Sequence, residues 1–186
     1  MIFLKNKKRF FLSILLLFIT LFLRAQLTTN SAFTPVQLVQ NILLGSGVSA
    51  TNITYTCDSL ARGSFNGTAS NIGIASGILL ASGNISTAIG PNNSGGATGL
   101  LGSGGYSYPV SDIDLNQIIG GNGAYDGAIL EFDFIPVSDT IKFRYAFGSE
   151  EYMEFVNAGY NDAFGFFITG PNPTGGNYSG QNIALI

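Results

Sequence analysis

The chain has 186 residues, of which 46% are hydrophobic and only 10% charged, and its mean hydropathy is +0.32. It contains no His and a single cysteine, Cys57, so no Ser-His-Asp or Cys-His machinery assembles within it. The His-based zinc, copper and iron sites are excluded on the same ground, and an internal disulfide has no second partner. Cys57 is expected to be a small, partly buried apolar residue rather than a nucleophile.

The first element is a targeting signal. The basic cluster Lys5, Lys7, Lys8 and Arg9 precedes an apolar run from Phe10 to Leu23, interrupted only by Ser13 and Thr20. As a helix this run spans roughly 21 Å, short of the ~30 Å hydrocarbon core of a bilayer. With small Ala25 next, residues 1–25 read as a secretory signal peptide cleaved near Ala25, so that the mature chain begins near Gln26. Beyond residue 25, eleven acids face three bases (Arg62, Lys142 and Arg144), a net charge of −8. Such a chain repels phosphate backbones, and nucleic acid is a poor partner. No second run of membrane length follows, so no transmembrane helix is expected in the mature chain, which reads as secreted or displayed at the cell surface.

Residues 26–186 have the length of one domain. Thr34-Pro35-Val36-Gln37 predicts a helix start, with an N-cap, a Pro at the first helical position and Gln at the capping-box position. Val36, Leu38, Val39, Ile42 and Leu43 form its apolar stripe, Gly45 stops it, and it is placed to cover one end of a sheet. Short strands are expected around Ile53–Tyr55, Ile72–Ile74 and Ile78–Ala81, punctuated by glycines. Residues 83–105, with eight glycines, read as a long loop. Asp112-Ile-Asp114-Leu-Asn116 starts like an EF-hand loop but carries Gln117 at the sixth position and Gly123 at the twelfth. A polar cap to a helical segment Leu115–Ile119 fits better.

The clearest period lies downstream. Ala128, Leu130, Phe132 and Phe134 alternate with Ile129, Glu131, Asp133 and Ile135, and Ile141, Phe143, Tyr145 and Phe147 alternate with Lys142, Arg144 and Ala146. A turn at Val137-Ser138 would pair the two runs, setting Glu131 opposite Arg144, Asp133 opposite Lys142 and Phe132 opposite Phe143. A third strand is expected over Phe164–Ile168. Eight of the ten Phe residues after the signal fall between Phe132 and Phe167, which marks this region as core. The fold class expected is mainly β: an antiparallel, jelly-roll-like β-sandwich with one short N-terminal helix. Gln181–Ile186 reads as a strand in mid-course, so residues 26–186 are expected to form a single domain truncated at its C-terminus.

The most suggestive polar residues are Glu150, Glu151, Asn161 and Asp162, proposed to converge with Asp126 at one end of the sandwich. Two readings fit them. Carboxylates and an Asn carbonyl on loops suit calcium, a hard cation taking six to eight oxygen ligands; alternatively, the same groups solvate a strand-to-loop edge or cap a turn. No other cofactor is indicated. Adjacent Glu150 and Glu151 point to opposite faces of a strand and so cannot together flank one glycosidic bond. Tyr106, Tyr108, Tyr152 and Tyr160 lie in loop-like segments, where they could contact a ligand or simply pack at the surface.

Five blocks carry a family resemblance: Leu38–Gly45, Gly73–Gly83, Ala128–Pro136, Phe143–Tyr152 and Asn161–Ile168. Together they resemble the choice-of-anchor L domain family, over about residues 36–186. The resemblance implies an exported, Bacteroidetes-like surface protein whose anchoring or sorting domain is missing from this chain, and it supplies no catalytic residues. The expected function is therefore a non-catalytic module for adhesion or ligand binding, with an extracellular ligand, glycan or surface protein as partner. A carbohydrate-active enzyme or its accessory sugar-binding module is the alternative, and a structural spacer in a large surface protein is a third.

Overall fold

The computed structural model describes residues 26–45, 47–92, 112–120, 123–138, 140–149, 153, 155–159 and 162–184. Its strands are antiparallel throughout and fall into three sheets among these residues. The β-rich, antiparallel expectation holds, with short helical turns joining the strands.

β1 (Thr28–Asn30) leads into α1 (Pro35–Gln37). The capping box forms as its sequence dictates: the Thr34 backbone N–H donates to Gln37 Oε1 at 2.9 Å, and the Gln37 N–H donates to Thr34 Oγ1 at 3.2 Å. After this single turn the chain widens into a π-turn over Leu38–Leu43, ended by the Leu44 N–H bonding the Val39 carbonyl at 3.0 Å. The wider winding changes which side chains face inward. Leu38 and Val39 are fully buried, whereas Val36 is 45% exposed and drops out of the expected stripe.

β2 (Val48–Thr56), β3 (Arg62–Asn66) and β4 (Ser76–Leu80) follow. The first sheet has the order β1-β3-β4, with Thr28 opposite Asn66 and Arg62 opposite Leu80. Gly63 makes that sheet possible: a Cβ there would run into the Asn30 carbonyl of β1 and the Ile85 side chain. Ile85, 2% exposed, opens a 3₁₀ turn (Ile85–Ile89) capped by Asn84 Oδ1, which accepts from the Ser86 N–H at 2.9 Å. Among the described residues, Ile85 joins Leu38, Val39, Ala50 and Ala61 as the buried hydrophobic side chains. Ile72–Ile74, expected as a strand, is instead part of the β3–β4 connection, with Gly73 at φ +77°. Residues 93–105 of the expected loop lie outside the described residues.

α2 (Ile113–Ile118) confirms the polar-cap reading of the aspartate pair: Asp112 accepts from the Asp114 and Leu115 N–H groups, both at 2.9 Å. β5 (Ile129–Pro136) keeps its expected alternation, with Phe132 and Phe134 half-buried and Glu131, Asp133 and Ile135 exposed. Its ladder partner, however, is β2 rather than the segment 141–147. Asp133 faces Thr51 and Glu131 faces Thr54. The ladder breaks between Thr51 and Thr54, where Asn52 takes φ 50° and donates from Nδ2 to Asp133 Oδ2 at 2.6 Å. Arg144 does not meet Glu131; its Nη2 donates to the Gly73 carbonyl at 2.8 Å. The physical reason is one of scale. Two exposed ion pairs contribute only ~0.2–1 kcal/mol each, too little to hold a register against a long backbone ladder.

β6 (Phe167–Pro171) pairs with β7 (Asn177–Asn182), Phe167 facing Asn182. Pairing reaches back to Phe166, whose carbonyl accepts from the Ile183 N–H at 2.7 Å, so the expected strand over Phe164–Ile168 starts later as a ladder but lies in the right place. α2 approaches this sheet: a Cβ on Gly165 would lie 3.1 Å from Ile118 Cδ1, and one on Gly180 would lie 3.5 Å from Asp114 Oδ1.

Candidate functional site

Segments 143–149 and 162–166 bring together two of the blocks singled out in the sequence. The Phe143 and Phe166 ring centroids are 4.4 Å apart, and those of Tyr145 and Phe164 are 5.3 Å apart. Tyr145 also meets Phe166 at 5.6 Å, and Phe147 meets Phe164 at 5.8 Å. Partners that advance along one segment retreat along the other, so the two run antiparallel, with direct and diagonal ring pairs of the kind neighbouring strands make. Beyond the last ring, the Ser149 hydroxyl donates to Asp162 Oδ2 at 2.7 Å. This charge-assisted bond closes the base of the connection between the segments. Phe143 and Phe147 remain 43% and 48% exposed, so the rings form an open face.

Asp162, a proposed calcium ligand, is thus engaged by a hydroxyl that sequence reasoning missed. Ser149 lies in the Phe143–Tyr152 block, but no sequence pattern assigns its hydroxyl to Asp162. Asp126, the second proposed ligand among the described residues, has φ 55° and lies close enough to Cys57 to act on its thiol electrostatically. Glu150, Glu151 and Asn161 lie outside the described residues. Among the described residues, no group of three or more His, Cys, Asp or Glu is arranged to hold a metal ion.

A second polar cluster gathers where β2 turns into β3. Asp58 caps a 3₁₀ turn (Ser59–Ala61) by accepting from the Leu60 N–H at 2.8 Å, and the Tyr55 hydroxyl donates to the Asp58 carbonyl at 3.1 Å. The Arg62 guanidinium lies over the Tyr55 ring, 5.2 Å from its centroid, and its Nη1 donates to the Phe33 carbonyl, while its Nε is buried without a hydrogen-bond partner among the described residues. Burial pushes the Tyr55 phenol well above its ordinary value. Burial likewise raises the Cys57 thiol, and the carboxylates of Asp58 and Asp126 push the same way. Cys57 is half-buried, as expected, and a thiol held protonated is a poor nucleophile. Its φ of 147° is a conformation few side chains adopt.

The Ser149 hydroxyl donates to Asp162 rather than to an imidazole, and because the chain contains no His the pair is not part of a Ser-His-Asp triad. No helix among the described residues is long and apolar enough to cross a membrane. The family model of the choice-of-anchor L domain matches residues 27–186. None of the curated proteins and none of the solved structures matches this chain.

Proposed function

The chain belongs to the choice-of-anchor L domain family, a family of extracellular surface modules, and from that premise we propose that it is a non-catalytic module for adhesion or ligand binding. The observation that carries this reading is the reach of the match, residues 27–186. It begins just after the proposed signal peptide, so residues 1–25 are read as export machinery and the rest as the exported module. The partner is an extracellular ligand, glycan or surface protein.

The test uses the whole chain expressed in a bacterium with its own export pathway. N-terminal sequencing of the exported product should start at or near Gln26. Beads coated with that product should adhere to glycan-coated or protein-coated surfaces above the level of beads coated with an unrelated acidic protein. Equal adhesion on every surface would remove the binding role and leave the spacer reading. Turnover of glycosidic substrates by the purified product would replace it with the enzyme reading.

Calcium is the finer part of the proposal. Asp126, Glu150, Glu151, Asn161 and Asp162 offer only oxygen donors, which suits calcium and disfavours zinc. Eleven acids against three bases after residue 25 also leave an acidic cluster short of protein cations. Binding to the folded state alone raises the melting temperature with ligand concentration. Melting should therefore rise with calcium and fall with chelator in the wild type, and the response should disappear in Glu151→Gln/Asp162→Asn. A wild type that melts at one temperature in all conditions would return the cluster to the solvated-edge reading.

A further inference from the structure

We draw no further inference here: the strongest candidate, the half-exposed aromatic face built by Phe143, Tyr145, Phe147, Phe164 and Phe166 on segments 143–149 and 162–166, carries nothing because no feature of the structure shows what covers it.

Discussion

Two apolar regions of this molecule are built on opposite plans. Around the π-turn, aliphatic side chains of modest size (Leu38, Val39, Ala61 and Ile85) are almost completely withdrawn from water. Across segments 143–149 and 162–166, five large rings touch one another closely while Phe143 and Phe147 stay nearly half exposed. Ring count and ring proximity therefore do not measure burial. A phenyl group can satisfy part of its surface against another ring and still leave a face in water, whereas Leu38 gains only by being enclosed.

The sharpest way to break this comparison is to truncate one residue in each region. Leu38→Ala is expected to cost about 2–5 kcal/mol, because full burial adds a cavity to the lost transfer energy. A denaturant melt reads it as a shifted midpoint with little change in slope. Gly63→Ala comes next, at about 1–3 kcal/mol, since its new methyl group would displace both the Asn30 carbonyl and Ile85. Phe143→Ala and Phe147→Ala should each fall below the ~3–5 kcal/mol typical of a buried Phe, at roughly half of it. A loss at Phe143 as large as at Leu38 would mean that the aromatic face is closed in solution.

The smallest effects come from polar groups. Ser149→Ala should cost about 1 kcal/mol or less, because its bond to Asp162 is exposed and water can replace the hydroxyl. At the β2–β3 corner, the folded state raises the titration of both the Tyr55 phenol and the Cys57 thiol, mainly by burial. Groups raised in this way stabilise the fold fully below their unfolded values, 9.0 for the thiol and 10.0 for the phenol. That contribution is lost as pH rises through their higher folded values. Melting temperature should therefore fall on the alkaline side, beginning near pH 9, and Cys57→Ser with Tyr55→Phe should flatten the decline. Thiol alkylation at neutral pH should be slower than in an unfolded control.

What was legible in the sequence was local. Thr34 and Gln37 bond each other within one turn, and Asp112 caps the two N–H groups that follow it, so neighbouring residues suffice to read them. The β5 alternation was readable for the same reason. Its partner was not, because the choice between β2 and 141–147 depends on residues some eighty positions away, and the charge match that favoured the nearer segment is energetically slight. β3 was missed altogether: Arg62-Gly-Ser-Phe-Asn has no apolar period, and its place depends on the missing Cβ of Gly63. The π-turn was also beyond pattern reasoning, since the stripe through Val36 assumes ordinary α winding. Of the candidate site, Asp162 could be picked out by its chemistry, but Ser149 could be found only once the two segments were set side by side.

Arg62 gives the N-terminal end of the described chain a mechanical character. β1 is held to β3 over only three residue pairs, so tension applied at residue 26 would peel it away first. The peel would then meet Phe33, whose carbonyl is gripped by a guanidinium that also rests on Tyr55 of β2. Through these two contacts Arg62 ties the segment between β1 and α1 to both β2 and β3.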